Sequence, residues 1–113
     1  MDKTLKYKKL VKEILNRYVE IDRQQPQEGI DYFLVADDAQ GHYLWTSLGW
    51  SKGKRTRYVH AHLRIKDEKI WIETDLTEQG IATDLLNEGV PKEDIVLAFQ
   101  EPSMRKYNEF AIA

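Results

Sequence analysis

Near the start of the chain apolar residues recur at three- and four-residue steps. Tyr7, Leu10, Val11, Ile14, Leu15, Tyr18 and Ile21 share one helical face. Lys6, Lys8, Lys9, Lys12 and Arg17 fall between them, as the solvated back of the same helix. Asp2 offers a cap at the amino end. Gln24-Gln25-Pro26 closes the helix, because the residue before proline avoids the helical region. A loop over residues 23–29 (RQQPQEG) follows.

From residue 30 the period changes to two. Ile30 to Val35 predicts a short strand, ended by a turn at Asp37-Asp38-Ala39-Gln40-Gly41. Two longer strands, Tyr43–Trp50 and Thr56–Lys66, flank a basic loop around Lys52-Gly53-Lys54-Arg55. Asp67-Glu68 is a tight turn into a further strand, Lys69–Asp75, and no proline or interior glycine interrupts residues 56–75. Asp75 or Thr77 caps a second helix that buries Ile81 and Leu85, with Leu86 at its margin. That helix stops at Asn87-Glu88-Gly89, where Gly89 suits the left-handed closing position. Pro91–Asp94 reads as a turn or a single helical turn. Ile95–Phe99, nearly all apolar, reads as a strand covered on both faces. Glu101–Ala113 has no clean period. The fold class is α+β: an N-terminal helix, a central, mostly antiparallel, twisted sheet, a second helix and a C-terminal strand.

Alternation also predicts which side chains meet. A two-residue turn at Asp67-Glu68 sets Lys66 opposite Lys69, Ile65 opposite Ile70 and Leu63 opposite Ile72 on a core face. The other face then pairs Arg64 with Trp71, His62 with Glu73 and His60 with Asp75. In the preceding hairpin, matching apolar with apolar sets Leu44 opposite Leu63 and Leu48 opposite Val59. This places Trp45 opposite His62, Gly49 opposite Tyr58 and Ser47 opposite His60. One outer face would collect Tyr43, Trp45, Tyr58, His60, His62, Arg64, Trp71 and Glu73. Those residue types are enriched at protein interfaces. The plainer alternative is that the first helix or the tail covers this face within the chain.

Composition narrows the function. The 113 residues are one domain's worth, spanning 1–113, and 42% are hydrophobic, which is too many for a disordered chain. With no cysteine there are no disulfides, thiolate metal ligands or thiol nucleophiles. No export signal or membrane span is apparent, so the expectation is a soluble, cytoplasmic protein. The net charge of −2 is uneven: residues 1–66 carry a net +5 and residues 67–113 a net −7. A bipolar chain suits self-association or a protein partner better than nucleic acid, unless the fold interleaves the two halves.

Candidate chemistry is thin. His60-x-His62, with Glu73 and Asp75 opposite, has the convergence of a metal site, but the spacing arises readily by chance and satisfied His–carboxylate pairs are the better explanation. Ser47 beside His60 lacks any nucleophile-elbow pattern. Asp67-x-Lys69 matches a nuclease fragment by letters only, on a hairpin turn. The glycines form no phosphate-cradling loop. Lys52, Lys54, Arg55 and Arg57 offer a basic contact, although hairpin tips are commonly charged for solubility. No metal or other cofactor and no enzymatic activity is expected.

From Gly49-Trp50 onward the chain resembles the XisI family, the fdxN-element excision controlling factors of cyanobacteria. The resemblance is carried by Ile65-Lys66-Asp67-Glu68-Lys69-Ile70-Trp71-Ile72 and by Asp75-Leu76-Thr77-Glu78-Gln79-Gly80-Ile81-Ala82. It continues through Gly89–Phe99, then Arg105-Lys106-Tyr107 and Phe110-Ala111-Ile112-Ala113, and the opening Met1-Asp2-Lys3 also fits. Leu76 and Glu68 stand where the family commonly has glycine, and Gln100 where it commonly has histidine. The resemblance implies a control role in site-specific excision of a DNA element, together with an XisH-type companion protein. It transfers no catalytic residues. The expected mode is protein contact, through Trp45, Tyr58, His60, His62, Arg64, Trp71 and Glu73, in a homo-oligomer of at least two copies. The alternatives are a DNA-binding accessory protein using the 52–57 loop and an antitoxin-like inhibitor of a nuclease-fold companion.

Overall fold

The computed structural model describes residues 2–113; Met1, one of the residues that carry the resemblance, lies outside them. The order of elements is α1 (Lys3–Gln24), β1 (Ile30–Asp37), β2 (His42–Ser51), β3 (Lys54–Lys66), β4 (Lys69–Asp75), α2 (Ile81–Asn87) and β5 (Ile95–Val96). Short 3₁₀ turns follow α2 at Lys92–Asp94 and β5 at Pro102–Tyr107. The five strands lie in sequence order in one sheet. All neighbours are antiparallel except β4 and β5, which α2 joins as a parallel crossover. This is the expected α+β architecture.

Helix α1 starts where Asp2 accepts from the Thr4 amide at 3.0 Å. Its buried stripe is Tyr7, Val11, Ile14, Leu15 and Val19, with Leu10 and Tyr18 at the margin. Ile21, expected in the stripe, is 61% exposed. The face turns 100° per residue, so beyond Tyr18 it continues through Val19 and Asp22. The Asp22 carboxylate is used there, accepting from the Trp45 indole at 2.8 Å.

At the hairpin turns, Asp67 and Glu68 both adopt positive φ (55° and 60°), as do Lys52 and Gly53 (51° and 76°). These are the primed two-residue turns that match strand twist. The first sets Lys66 against Lys69, Ile65 against Ile70, Leu63 against Ile72 and Arg64 against Trp71, as expected. Beyond Leu63 the ladder slips: His62 faces Thr74 and Ala61 faces Asp75, so the expected His62–Glu73 and His60–Asp75 pairs do not form. A second slip lies between β2 and β3. Trp45 faces Ala61 and Thr46 faces Val59, which leaves His60 as the extra residue of a bulge.

The second slip changes which face the β2 residues occupy. Tyr43 faces Leu63, Leu44 faces His62, Ser47 faces Tyr58, Leu48 faces Arg57 and Gly49 faces Thr56, each differing from the expected partner. Tyr43, Trp45 and Ser47 therefore join Leu63 and Ile65 under α1, and all five are buried. Matching leucine with leucine would instead have driven two large aromatic rings outward. Opposing Trp45 to the small Ala61 leaves room for the indole against the helix.

Helix α2 begins at Ile81 after Gly80, one turn later than its cap residues suggest. Asp75 and Thr77 still organise the turn. Asp75 accepts from the Thr77 amide and hydroxyl and from the Ile81 amide at 2.7 Å, and Thr77 Oγ1 accepts from the Gly80 amide. Gly89 closes the helix at φ 91°. The C-terminal strand is shorter than expected. Ile95 and Val96 are fully buried, but the chain then turns, and the Arg105 guanidinium takes the Ala98 carbonyl that a longer strand would have paired. Arg105 also donates to the carbonyls of Gln100 and Ile112 and lies over the Trp71 ring, its carbon 5.7 Å from the centroid. The aperiodic tail is thus organised around one buried guanidinium, with a backbone bond from the Ala111 amide to the Ile95 carbonyl at 2.9 Å. Among the described residues no helix is long and apolar enough to cross a membrane.

Candidate interaction surfaces

The sheet divides the expected interface residues between two faces. On the helix-covered face, Tyr18 of α1 stacks on Trp45 with centroids 4.9 Å apart, and Trp45 stacks on His60 at 4.7 Å. The bulge turns His60 inward, where Nε2 lies 2.8 Å from Ser47 Oγ. Tyr58 follows at 6.1 Å from His60 and is 57% exposed. The Tyr18 hydroxyl donates to Asp84 of α2, and burial together with that carboxylate raises its pKa. Trp45 is thereby enclosed on both ring faces, and its N–H is satisfied by Asp22. Ser47 and His60 do meet, but Ser47 is only 3% exposed, so a substrate would have no route to its hydroxyl.

His62, Arg64, Trp71 and Glu73 lie on the opposite side. Trp71 donates to the Lys66 carbonyl at 3.0 Å and is covered by Lys66 and Arg105, leaving it 8% exposed. Trp45 and Trp71, expected on one interface, are both buried, on opposite faces of the sheet. His62 Nε2 lies 2.9 Å from His42 Nδ1. Burial and the neighbouring His42 push the His62 pKa down, Glu73 pulls it up, and Arg64 pushes it down further; the net direction is down. The carboxylate expected to face His62 is therefore an electrostatic neighbour only. Among the described residues no group of three or more His, Asp or Glu side chains is placed to hold a metal ion.

A third surface is the far end of the β2–β3 hairpin. β4 ends opposite Ala61, and beyond it Leu76 N donates to His60 O at 2.9 Å. Residues 48–58 therefore form an arm whose base, at Leu48 and Gly49, is still paired with β1 and whose end, residues 50–55, projects as a two-stranded ribbon. Its root is fixed by a close approach of two glycines. A Cβ on Gly49 would lie 1.9 Å from the Gly29 carbonyl oxygen, and one on Gly29 would lie 2.3 Å from that of Trp50. The arm carries Lys52, Lys54, Arg55 and Arg57, none in an ion pair with the described residues. Arg55 lies over the ring of Trp50, which is 60% exposed. Sequence reasoning singled out the four cations but not Trp50. Gly53 in the two-residue turn is the signal that would have shown a protruding ribbon and the true register.

Two carboxylates of the second half are drawn into ion pairs with the first. Asp94, buried beneath α1, accepts from the Tyr7 hydroxyl at 2.5 Å and pairs with Lys3 at 2.9 Å. Burial pushes the Asp94 pKa up, but Tyr7 and Lys3 outweigh it and hold the carboxyl below its ordinary value. Arg17 pairs with Glu88 at 2.9 Å. The fold thus interleaves part of the charge asymmetry, and the four cations of the arm remain outside that pairing.

No curated protein matches the sequence. Solved structures do match. A XisI-like protein from Anabaena variabilis ATCC 29413 superposes with a TM-score of 0.92 at 36% identity, over 97% of this chain and 99% of that one. The fdxN element excision controlling factor XisI from the same organism superposes with a TM-score of 0.85 at 37% identity, over 99% of this chain and all of that one. The family model described as XisI protein matches residues 1–112. With sequence and fold in agreement over nearly the whole chain, the protein belongs to the XisI family.

Proposed function

We propose that the protein is a non-enzymatic factor controlling site-specific excision of a DNA element of the fdxN type. It acts in the cytoplasm through contacts with a companion protein of the XisH type. Family membership supports the control role. The mode of action is carried by one observation, the β2–β3 arm, with four unpaired cations and the exposed rings of Trp50 and Tyr58. Aromatic rings and arginine are the residue types that anchor protein interfaces. The arm's root favours a protein partner over DNA, because the Leu76–His60 bond holds the acidic segment Glu73–Glu78 against it. A phosphate backbone laid along the arm would meet those carboxylates.

Binding kinetics with purified companion test this reading. Changing Lys52, Lys54 and Arg55 together to Ser slows association about tenfold with little change in dissociation, because rim charges steer encounter. The isolated chain gives no band shift on DNA at physiological salt. A shift at low micromolar protein, abolished by the triple substitution, would replace this reading with a DNA-binding role for the arm.

A further inference from the structure

The face of the sheet away from α1 carries a charge pattern that selects its partner. The register places its side chains in four rows across β1, β2 and β3: Asp31, Leu48, Arg57; Phe33, Thr46, Val59; Val35, Leu44, His62; and Asp37, His42, Arg64. The centre is apolar, with Val35 42% and Val59 38% exposed. Thr46 Oγ1 lies on the same face and is the buried side-chain polar atom without a hydrogen-bond partner among the described residues. The β1 edge is acidic at both ends and the β3 edge is basic at both ends. Among the described residues, Asp31, Arg57 and Arg64 make no side-chain hydrogen bond or ion pair. Asp37 uses Oδ1 on the Gln40 amide at 3.0 Å and leaves Oδ2 free.

We infer that this face binds the same face of a second copy, about a two-fold axis running along β2. That axis exchanges the two edges while keeping each row level. Asp31 then meets Arg57 of the other copy, and Asp37 meets its Arg64, so four ion pairs ring an apolar centre. A two-fold axis across the strands would instead set Asp31 against Asp37 and Arg57 against Arg64. Charge therefore fixes the orientation, and the contact is isologous. Facing sheets stand about 10 Å apart, a gap that a long arginine and a short aspartate bridge together. The patch, three strands wide and seven residues long, measures roughly 14 by 24 Å, so two copies remove on the order of 700 Å² from water, the size of a weak, reversible contact in which the ion pairs supply the selectivity. The dimer is accordingly weak, with a dissociation constant on the order of 10 μM. This surface shares Leu48 and Arg57 with the base of the arm but includes none of Lys52, Lys54 or Arg55, and the inference does not depend on the companion.

Sedimentation velocity from about 1 to 200 μM tests it, spanning the expected constant. The wild-type chain passes from monomer to dimer. Asp31→Arg and Arg57→Asp each place like charges together twice and weaken the dimer at least tenfold. Combining them restores it, because the swapped pair again meets opposite charge. Val35→Arg, at a position already open in the monomer, abolishes the dimer and serves if a charge variant fails to fold. A monomer throughout the range, single variants that dimerise like wild type, or a double variant no better than either single one would overturn the inference. The arm triple substitution leaves the dimer unchanged, which separates failure here from failure of the proposed function.

Discussion

The two faces of the sheet are built from similar residues and do different work. Under α1, Trp45 is stacked on both sides by Tyr18 and His60 and hydrogen-bonded by Asp22. On the other face, Leu44 and Val35 lie against no helix, and among the described residues their ring of charges forms no ion pair. A covered aromatic is held by several contacts at once, so its loss is felt as stability. An open aliphatic is held by none, so its loss is felt only when a second molecule arrives. Apolar composition alone does not separate these cases. The hydrogen-bond partner of each polar edge does.

The largest effect expected from breaking this contrast comes from the covered side. Trp45→Ala removes two stacked contacts and strands the Asp22 carboxylate, and costs about 3–5 kcal/mol in urea unfolding. Next is the tail, the one part of the far face that is already covered. Arg105→Ala frees three carbonyls and uncovers Trp71, and costs about 2–4 kcal/mol. Arg105→Lys recovers only part of this, since one ammonium cannot reproduce the planar fork. A loss under 1 kcal/mol for either alanine variant would mean that the burial described here is not what holds these segments.

The sheet's inner register was legible wherever a turn declared itself. Asp67-Glu68, flanked by matched isoleucines, set β3 against β4 correctly as far as Leu63, and helical spacing identified most of the α1 stripe. The two bulges were not legible. Neither His60 nor Glu73 is a glycine or stands beside a proline, and a bulge of this kind is selected by tertiary fit, here by the space Ala61 leaves for Trp45. One unmarked residue was enough to move Trp45 from the expected outer face to the core. The arm was legible as charge but not as shape. The tail was opaque because a guanidinium binding three carbonyls leaves no periodic trace.

Acid sharpens the contrast on the open side. His62 has a pKa below its ordinary value, so the unfolded chain takes up protons that the folded chain refuses. Its contribution is full above about pH 6.5 and is lost as pH falls below that value. Urea midpoints should drop between pH 7.5 and 5.5, and His62→Gln should flatten the drop. Asp94 acts later: its depressed pKa supports stability above the ordinary carboxylate range and is lost at lower pH, so Asp94→Asn removes a separate, more acidic step. A His62→Gln variant that titrates like wild type would assign the first step to another group.

A smaller effect, of opposite sign, comes from the β3–β4 turn. Glu68 holds φ 60° where a side chain is disfavoured. Glu68→Gly therefore stabilises the hairpin by about 0.5–1 kcal/mol, read as a rise in the thermal midpoint. A fall would show that the Glu68 side chain contributes more than its backbone costs.

The separation of the two faces is tested most directly by urea unfolding of wild type and Val35→Arg at two protein concentrations, one well below and one well above about 10 μM. The wild-type midpoint rises with concentration, because association stabilises the folded chain. Val35→Arg unfolds at the dilute wild-type midpoint, within about 0.5 kcal/mol, at both concentrations. A variant destabilised by more than about 1 kcal/mol when dilute, or a wild-type midpoint indifferent to concentration, would contradict the assignment of one face to folding and the other to association.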